Sequence, residues 1–398
     1  MRDGWYTFLS TLCARAYFSR IRVIGGERLP RGGPVVYVGL HRNGAVDGFI
    51  YKSIFRQAVF LIAAQLQKNL FSRMFFTGIP VVRDKDSGDR GMNAEAMDRC
   101  QELLGKGGEL FIFPEGTSSL GPRHLPFKSG AARIAVAAWQ AGYPVKIVPM
   151  GITYNAPATF RSSVEVIVGE PMGPESLAKL PIEEEVAEAK RIVTDRLEKA
   201  GVNVESAEYL TEISMMASMA ASAGSFFETL KFCEKGIPEK LQAPWRKLHG
   251  ELQSSELLRS EAAATFSSVS PWISLAGGIL LSPLVAATAL VNCLPLWGAF
   301  WAGKKFPDGR NVITLWRILV GVPLFLFWFV AVCLGLVLAE RNLWILFFLL
   351  LTGMGWLAYQ PARQLLVSGW NGIRFPGLRR KYLEFQRVLF EEMRNHGL

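Results

Sequence analysis

Apolar residues fall unevenly along the 398-residue chain, and their spacing divides it into stretches that suit different surroundings. Up to about residue 204, short runs rich in β-branched and aromatic residues alternate with amphipathic stretches. Pro34–Leu40, Ala58–Ala63, Glu109–Phe113, Val145–Tyr154 and Val164–Val168 read as buried or half-buried strands, and Asn93–Leu104, Gly130–Trp139 and the charged Ile182–Ala200 as helices. Strands alternating with helices predict an α/β domain over residues 26–204, a mixed sheet flanked by helices. Ahead of it, Trp5, Phe8, Leu9 and Leu12 recur at helical spacing, followed by Arg15, Arg20 and Arg22. This predicts an N-terminal helix within residues 1–25 lying in a membrane interface, although the same stripe also suits packing on the domain. Residues 205–265 are rich in Ala, Met, Glu, Leu and Ser and are punctuated by Gly224 and by Gly236-Ile237-Pro238, which predicts a helical connector of two or three helices.

From residue 266 onward the pattern loses its polar phase. Three apolar blocks follow, 272–301, 316–339 and 343–359; the second is long enough to cross a bilayer and the third only just. The first contains Pro283, Asn292 and Pro295, so it either spans with kinks or turns back as two short helices. Charge favours the second choice. Lys304, Lys305 and Arg310 precede the second block and Arg363, Arg374, Arg379, Arg380 and Lys381 follow the third, while Glu340 and Arg341 are the charges between them. Basic flanks stay in the cytoplasm, so blocks two and three form a transmembrane hairpin and a cytoplasmic domain requires a re-entrant first block. A basic C-terminal tail completes the region.

Composition narrows the classes. A formal charge of +10 suits nucleic acid or an anionic membrane surface, and the long apolar blocks favour the membrane. The sequence shows no RNA-recognition motif, zinc-finger spacing or helix-turn-helix signature, so no nucleic-acid partner is expected. Cys13, Cys100, Cys233, Cys293 and Cys333 are scattered, with no paired spacing and no neighbouring His, which fits free thiols and no metal site. The first 18 residues carry Arg2, Asp3 and Arg15 and too short an apolar run for a cleavable signal.

Four segments carry candidate chemistry. Val38-Gly-Leu-His-Arg-Asn-Gly-Ala-Val-Asp47 sets His41 just beyond an apolar strand with Asp47 six positions on. Strand ends are where α/β enzymes assemble their sites. An Asp holding one ring nitrogen leaves the other free to take a proton from a hydroxyl. On a continuous helix the two would lie about 240° apart, so they meet only if a turn intervenes, which Asn43 and Gly44 permit. Phe111-Ile-Phe-Pro-Glu-Gly-Thr-Ser118 runs from a strand into a loop with backbone amides and a hydroxyl beside a carboxylate, a setting for a phosphate-bearing acceptor or a plain turn. Lys128 stands just ahead of a helix start at Ser129, where amides and dipole attract anions. Gly78-Ile-Pro-Val-Val-Arg83 offers a guanidinium able to grip phosphate, and Ile147-Val-Pro-Met-Gly-Ile-Thr-Tyr154 is an apolar strand, broken at Pro149 and Gly151, that serves as core or lines an acyl pocket.

In this order and spacing the four segments resemble the glycerophospholipid acyltransferases, the family that includes lysophosphatidate and glycerol-3-phosphate acyltransferases. The resemblance covers about residues 30–200. It implies His41 and Asp47 as the catalytic pair and Arg83, Glu115, Gly116 and Thr117 as acceptor-binding residues, with Lys128 added from its helix-start position. Five residues, rather than the family's more frequent four, separate His41 from Asp47, which resembles a subgroup acting on glycerol 3-phosphate or dihydroxyacetone phosphate; the Glu115-Gly-Thr-Ser118 stretch instead looks like the lysophosphatidate type. The expected activity is acyl transfer from acyl-CoA or an acyl carrier protein to one of these acceptors in phospholipid synthesis, with no metal or redox cofactor. The membrane lipids are expected partners, and the bacterial inner membrane or the endoplasmic reticulum the expected location. An acyltransferase for another lysophospholipid or an aminolipid, and a catalytically silent lipid-binding protein of the same fold, are the alternatives.

Overall fold

In the computed structural model, which describes residues 2–67, 70–82, 91–177, 181–220, 224–261 and 263–397, the α/β pattern resolves into one seven-stranded mixed sheet. The strands are β1 (Arg20–Ile24), β2 (Val35–Gly39), β3 (Val59–Ala63), β4 (Ile79–Val81), β5 (Glu109–Ile112), β6 (Lys146–Tyr154) and β7 (Ser163–Val168), in the order β1-β7-β6-β2-β5-β3-β4. β6, β2, β5, β3 and β4 run parallel, and β7 turns back antiparallel on β6. β2 is buried at every position, as its unbroken apolar run requires for a strand covered on both faces. Flanking helices are α1 (Arg2–Tyr17), α2 (Val46–Ile54), α3 (Leu70–Phe75), α4 (Gly91–Gly105), α5 (Gly130–Gln140) and α6 (Ile182–Ala200). This sheet and its helices form one compact unit, Met1–Tyr154 with Val164–Glu205; Asn155–Ser163 and Ser206–Leu398 form a second.

One reading of the sequence is corrected here and another refined. β6 is not broken at Pro149 and Gly151 but continuous from Lys146 to Tyr154. Gly151 is there for space: a Cβ would fall on the Ala200 carbonyl at the end of α6. The strand is core, with Ile147, Val148, Met150 and Ile152 buried. In α1 the stripe Trp5, Phe8, Leu9, Leu12 is divided between packing and exposure. Tyr6, Leu9, Ser10, Cys13, Ala14 and Tyr17 are buried on the domain, while Trp5 and Phe8 stand out with 46% and 58% of their surface exposed. Both faces of this helix are apolar, and periodicity counts one stripe without saying which neighbour it meets.

The second unit begins with the three connector helices α7 (Ala207–Ala220), α8 (Phe226–Phe232) and α9 (Glu239–Ser254). Then come α10 (Pro271–Val291), α11 (Cys293–Lys305), α12 (Ile313–Leu338), α13 (Asn342–Arg374) and α14 (Pro376–Asn395). The basic tail is α14, and it packs on the connector: Phe385 meets Trp245 at 5.3 Å, and Lys381 pairs with Glu251 at 2.6 Å. α10, the segment containing α12 and α13 are each long and apolar enough to cross a membrane. α10 runs antiparallel to α13 through small-residue contacts, with Pro271 against Gly372, Leu275 against Gly369, Leu366 against Gly278 and Thr288 against Gly355. At Asn292 the chain breaks and α11 returns along α12, with Gly298 against Leu324, Ala299 against Gly321 and Arg317 against Gly303. Trp328 donates to the Val291 carbonyl at 3.1 Å and Asn292 to the Thr352 hydroxyl at 3.1 Å. The turn therefore lies beside α12 and α13 ten residues short of their connecting ends, about 15 Å along a helix axis.

Candidate active site

β2 delivers His41 at the carboxyl end of the sheet's middle. Gly39 lies so close under the Phe111 and Tyr51 rings that any Cβ would overlap Phe111, and Leu40 N–H closes the ladder on the Met150 carbonyl at 2.9 Å. The chain then turns at Gly44, whose φ of 58° lies in the left-handed region that glycine tolerates. α2 starts at Val46, and Asp47 in its first turn faces back to the strand end. The two side chains meet: His41 Nδ1 lies 2.9 Å from Asp47 Oδ2.

Asp47 is fully buried, and its charge is held by donors from three directions. Oδ2 also accepts the backbone amides of Arg42 at 2.6 Å and Asn43 at 2.9 Å, while Oδ1 accepts the Tyr154 hydroxyl. A carboxylate only accepts, so Nδ1 carries the proton and Nε2 holds the lone pair of the neutral ring. The His41 side chain keeps 16% of its surface exposed while Asp47 has none, so the ring is the member open to a reactant. Phe113 stacks on the imidazole at 4.2 Å and fixes its plane.

The loop after β5 is tied onto the same point. Glu115 Oε1 accepts the His41 amide at 2.8 Å and Oε2 the Leu125 amide at 3.0 Å, and Ser119 N–H donates to the His41 carbonyl at 3.0 Å. Glu115 thus gives its carboxylate to the protein rather than to an open pocket; burial raises its pKa even though the two amides and Arg42 pull the other way. Arg42 donates from Nη2 to the Gly121 carbonyl at 2.6 Å, and burial lowers its pKa against the opposing charges of Glu115 and Asp47. Gly116 adopts a left-handed φ of 68°, and Lys128 lies against it: a Cβ at Gly116 would meet Lys128 Cε at 3.4 Å. Lys128 N–H donates to the Pro114 carbonyl at 2.9 Å, and α5 begins two residues on, after Ser129. His41, Asp47, Glu115, Gly116, Thr117 and Lys128 are therefore parts of one loop cluster, whereas Arg83 lies outside the described residues.

A family model described as Acyltransferase matches residues 20–153. This stretch is similar to an acyltransferase domain. Among curated proteins, the domain is similar to a 1-acyl-sn-glycerol-3-phosphate acyltransferase of Chlamydomonas reinhardtii (31% identity, 34% of this chain and 41% of the relative) and to a chloroplastic one of Arabidopsis thaliana (30%, 39% and 44%). It is also similar to a lyso-ornithine lipid O-acyltransferase of Brucella abortus (31%, 39% and 58%). The chain spans less than half the length of the first of these relatives. A solved 1-acyl-sn-glycerophosphate acyltransferase from Thermotoga maritima aligns over 50% of this chain and 80% of its own at 23% identity, with a TM-score of 0.37. Tyr154 and Arg42 were not singled out from sequence. Tyr154 lies one residue past the matched stretch, and nothing local to it signals that its hydroxyl reaches Asp47.

Proposed function

We propose that this protein is a membrane-bound O-acyltransferase that moves a fatty acyl group from a thioester, acyl-CoA or acyl carrier protein, to the hydroxyl of a glycerolipid phosphate, with 1-acylglycerol 3-phosphate as the favoured acceptor. The observation that carries it is the buried Asp47 holding His41 Nδ1 at 2.9 Å inside an acyltransferase domain, which leaves Nε2 as a base. Nε2 takes the acceptor hydroxyl's proton as the oxygen attacks the thioester carbonyl. The imidazolium formed is stabilised by Asp47, the carbon–sulfur bond breaks, and the proton passes to the departing thiolate. Arg83, Thr117, Gly116 and Lys128 are assigned to the acceptor phosphate and Glu115 to positioning the Gly116–Thr117 loop against His41. The acceptor preference rests on the relatives named for 1-acylglycerol 3-phosphate; the similarity to a lyso-ornithine lipid acyltransferase supports an aminolipid as the second reading.

Residues 313–338 and 342–359 are assigned as a transmembrane hairpin and α10–α11 as a re-entrant pair, with the acyltransferase domain on the cytoplasmic side. The return of α11 along α12 from the turn at Asn292 supports this, because it brings Lys304 and Lys305 back to the end of α12 that carries Arg317 and is preceded by Arg310.

The test is purified full-length protein in lipid nanodiscs, assayed with radiolabelled acyl-CoA and acyl carrier protein against 1-acylglycerol 3-phosphate, glycerol 3-phosphate, dihydroxyacetone phosphate and a lyso-ornithine lipid. Transfer to the first, reduced about 10³-fold or more in His41→Ala, is the expected result. Wild-type turnover by His41→Ala ends the assignment, and no transfer to any acceptor leaves a lipid-binding role.

A further inference from the structure

The buried Asp47 has two oxygens with unequal duties. Oδ2 serves His41 Nδ1 and the amides of Arg42 and Asn43, all from the loop that follows β2. Oδ1 takes its hydrogen bond from Tyr154, 107 residues further along and anchored on β6 rather than on α2. The Tyr154 ring is buried against Phe18 at 5.6 Å, and its hydroxyl is also bonded to the Asn43 side chain. Burial, with the Asp47 charge beside it, pushes the phenol well above its usual range, so the hydroxyl stays protonated and remains a donor. A donor on a buried carboxylate draws off part of its negative charge, and that charge is what holds a proton on the imidazole opposite.

We propose that Tyr154 is a positioning residue that sets how readily His41 takes up a proton, by occupying the Asp47 oxygen that the imidazole does not use. The other ionisable groups around the ring have fixed places in this balance. Arg42, in the same loop, opposes a second positive charge; Asp47 from α2 and Glu115 from the loop after β5 favour it. Tyr51 from α2 faces the Leu40 and Met150 carbonyls, and burial keeps it a neutral phenol. Tyr154 moderates the strongest of the favouring charges without touching a reactant. It keeps the base from being neutralised by its own support. The consequence for turnover rests on the acyltransferase reading; the effect on the ring does not.

In Tyr154→Phe the Oδ1 atom loses its donor, Asp47 pulls harder on the ring proton, and His41 protonates at higher pH. The acid limb of kcat/KM moves up by about half to one pH unit, so activity on that limb falls about 3- to 10-fold and recovers towards the wild-type value at alkaline pH, with the acceptor KM unchanged. Full-length protein carrying isotope-labelled histidine, in nanodiscs, gives the ring titration directly by NMR, with His41→Gln identifying the signal. Site-specific 3-fluorotyrosine at position 154, a stronger donor, shifts both readings the opposite way and decides the matter if the Phe variant does not fold. An acid limb and ring titration unmoved in both variants, with a rate loss uniform in pH, reduce Tyr154 to packing and overturn the proposal. A shifted ring titration without turnover on any acceptor sustains it and removes the acyltransferase reading instead.

Discussion

Asp47→Asn separates the charge at the dyad from its hydrogen-bond geometry, because the structure dictates how the amide must sit. Three donors converge on Oδ2, so the asparagine carbonyl takes that position and its NH2 faces Tyr154, whose hydroxyl turns from donor to acceptor. The three bonds to the carbonyl survive and the ring keeps its tautomer, while the Tyr154 proton loses its acceptor, and stability falls by about 1–2 kcal/mol. What is lost is the negative charge behind the imidazolium. Its worth lies between the roughly 1–2 kcal/mol by which a charged acceptor exceeds a neutral one and the roughly 4 kcal/mol of a close ion pair at a protein-like dielectric. About 3 kcal/mol corresponds to a kcat reduced about 10²- to 10³-fold. Asp47→Ala is a different experiment: it leaves four buried donors unpaired at about 1–3 kcal/mol each, a sum comparable with the whole stability of a domain, and the protein is expected not to accumulate. Single-turnover acyl transfer in nanodiscs, read beside a thermal melt, distinguishes the two. An Asn variant that melts with the wild type and turns over within tenfold of it would show that no charge develops on His41.

Glu115→Gln satisfies either the His41 or the Leu125 amide but presents a donor to the other, so turnover falls and the protein melts lower than wild type. The pH dependence has a definite sign. Burial raises the folded pKa of Glu115, so its contribution to wild-type stability is present below the ordinary glutamate value of about 4.3 and is lost as pH climbs through the raised value. The gap in Tm between wild type and Glu115→Gln therefore narrows from acid to neutral pH; a widening gap refutes the burial argument. For the membrane region, Lys304→Cys labels with an impermeant maleimide from the cytoplasmic face and Arg341→Cys from the other. Cys13, Cys100 and Cys233, which burial pushes up to about 12, stay silent in both. Labelling of both introduced thiols from one face rejects the hairpin.

What was legible in the sequence follows the range of the interaction responsible. Strands such as β2 and β5 announce themselves because an unbroken β-branched and aromatic run has few other ways to be buried. β1 and β4 were missed: Arg20–Ile24 is a half-exposed strand with two arginines, and Ile79–Val81 is too short to show a period. Orientation was less legible than type, as α1 shows, since a helix apolar on two sides carries no mark of which one meets the domain. The same division runs through the site. His41 and Asp47 lie six residues apart and their meeting depends on one turn, so the left-handed opportunity at Gly44 made the pair readable. Glu115 was readable as part of a loop but not in its duty, because its partners, the amides of His41 and Leu125, become neighbours only once β5 is laid beside β2. Tyr154 lies at the far limit. Its hydroxyl finds Asp47 because β6 pairs with β2 in the register that sets Gly39 against Met150, and a shift of one residue would turn the phenol to the opposite face of the sheet. The group proposed to tune His41 is thus specified by strand order and register, which no local pattern encodes, while the His41–Asp47 pair itself is specified by a turn.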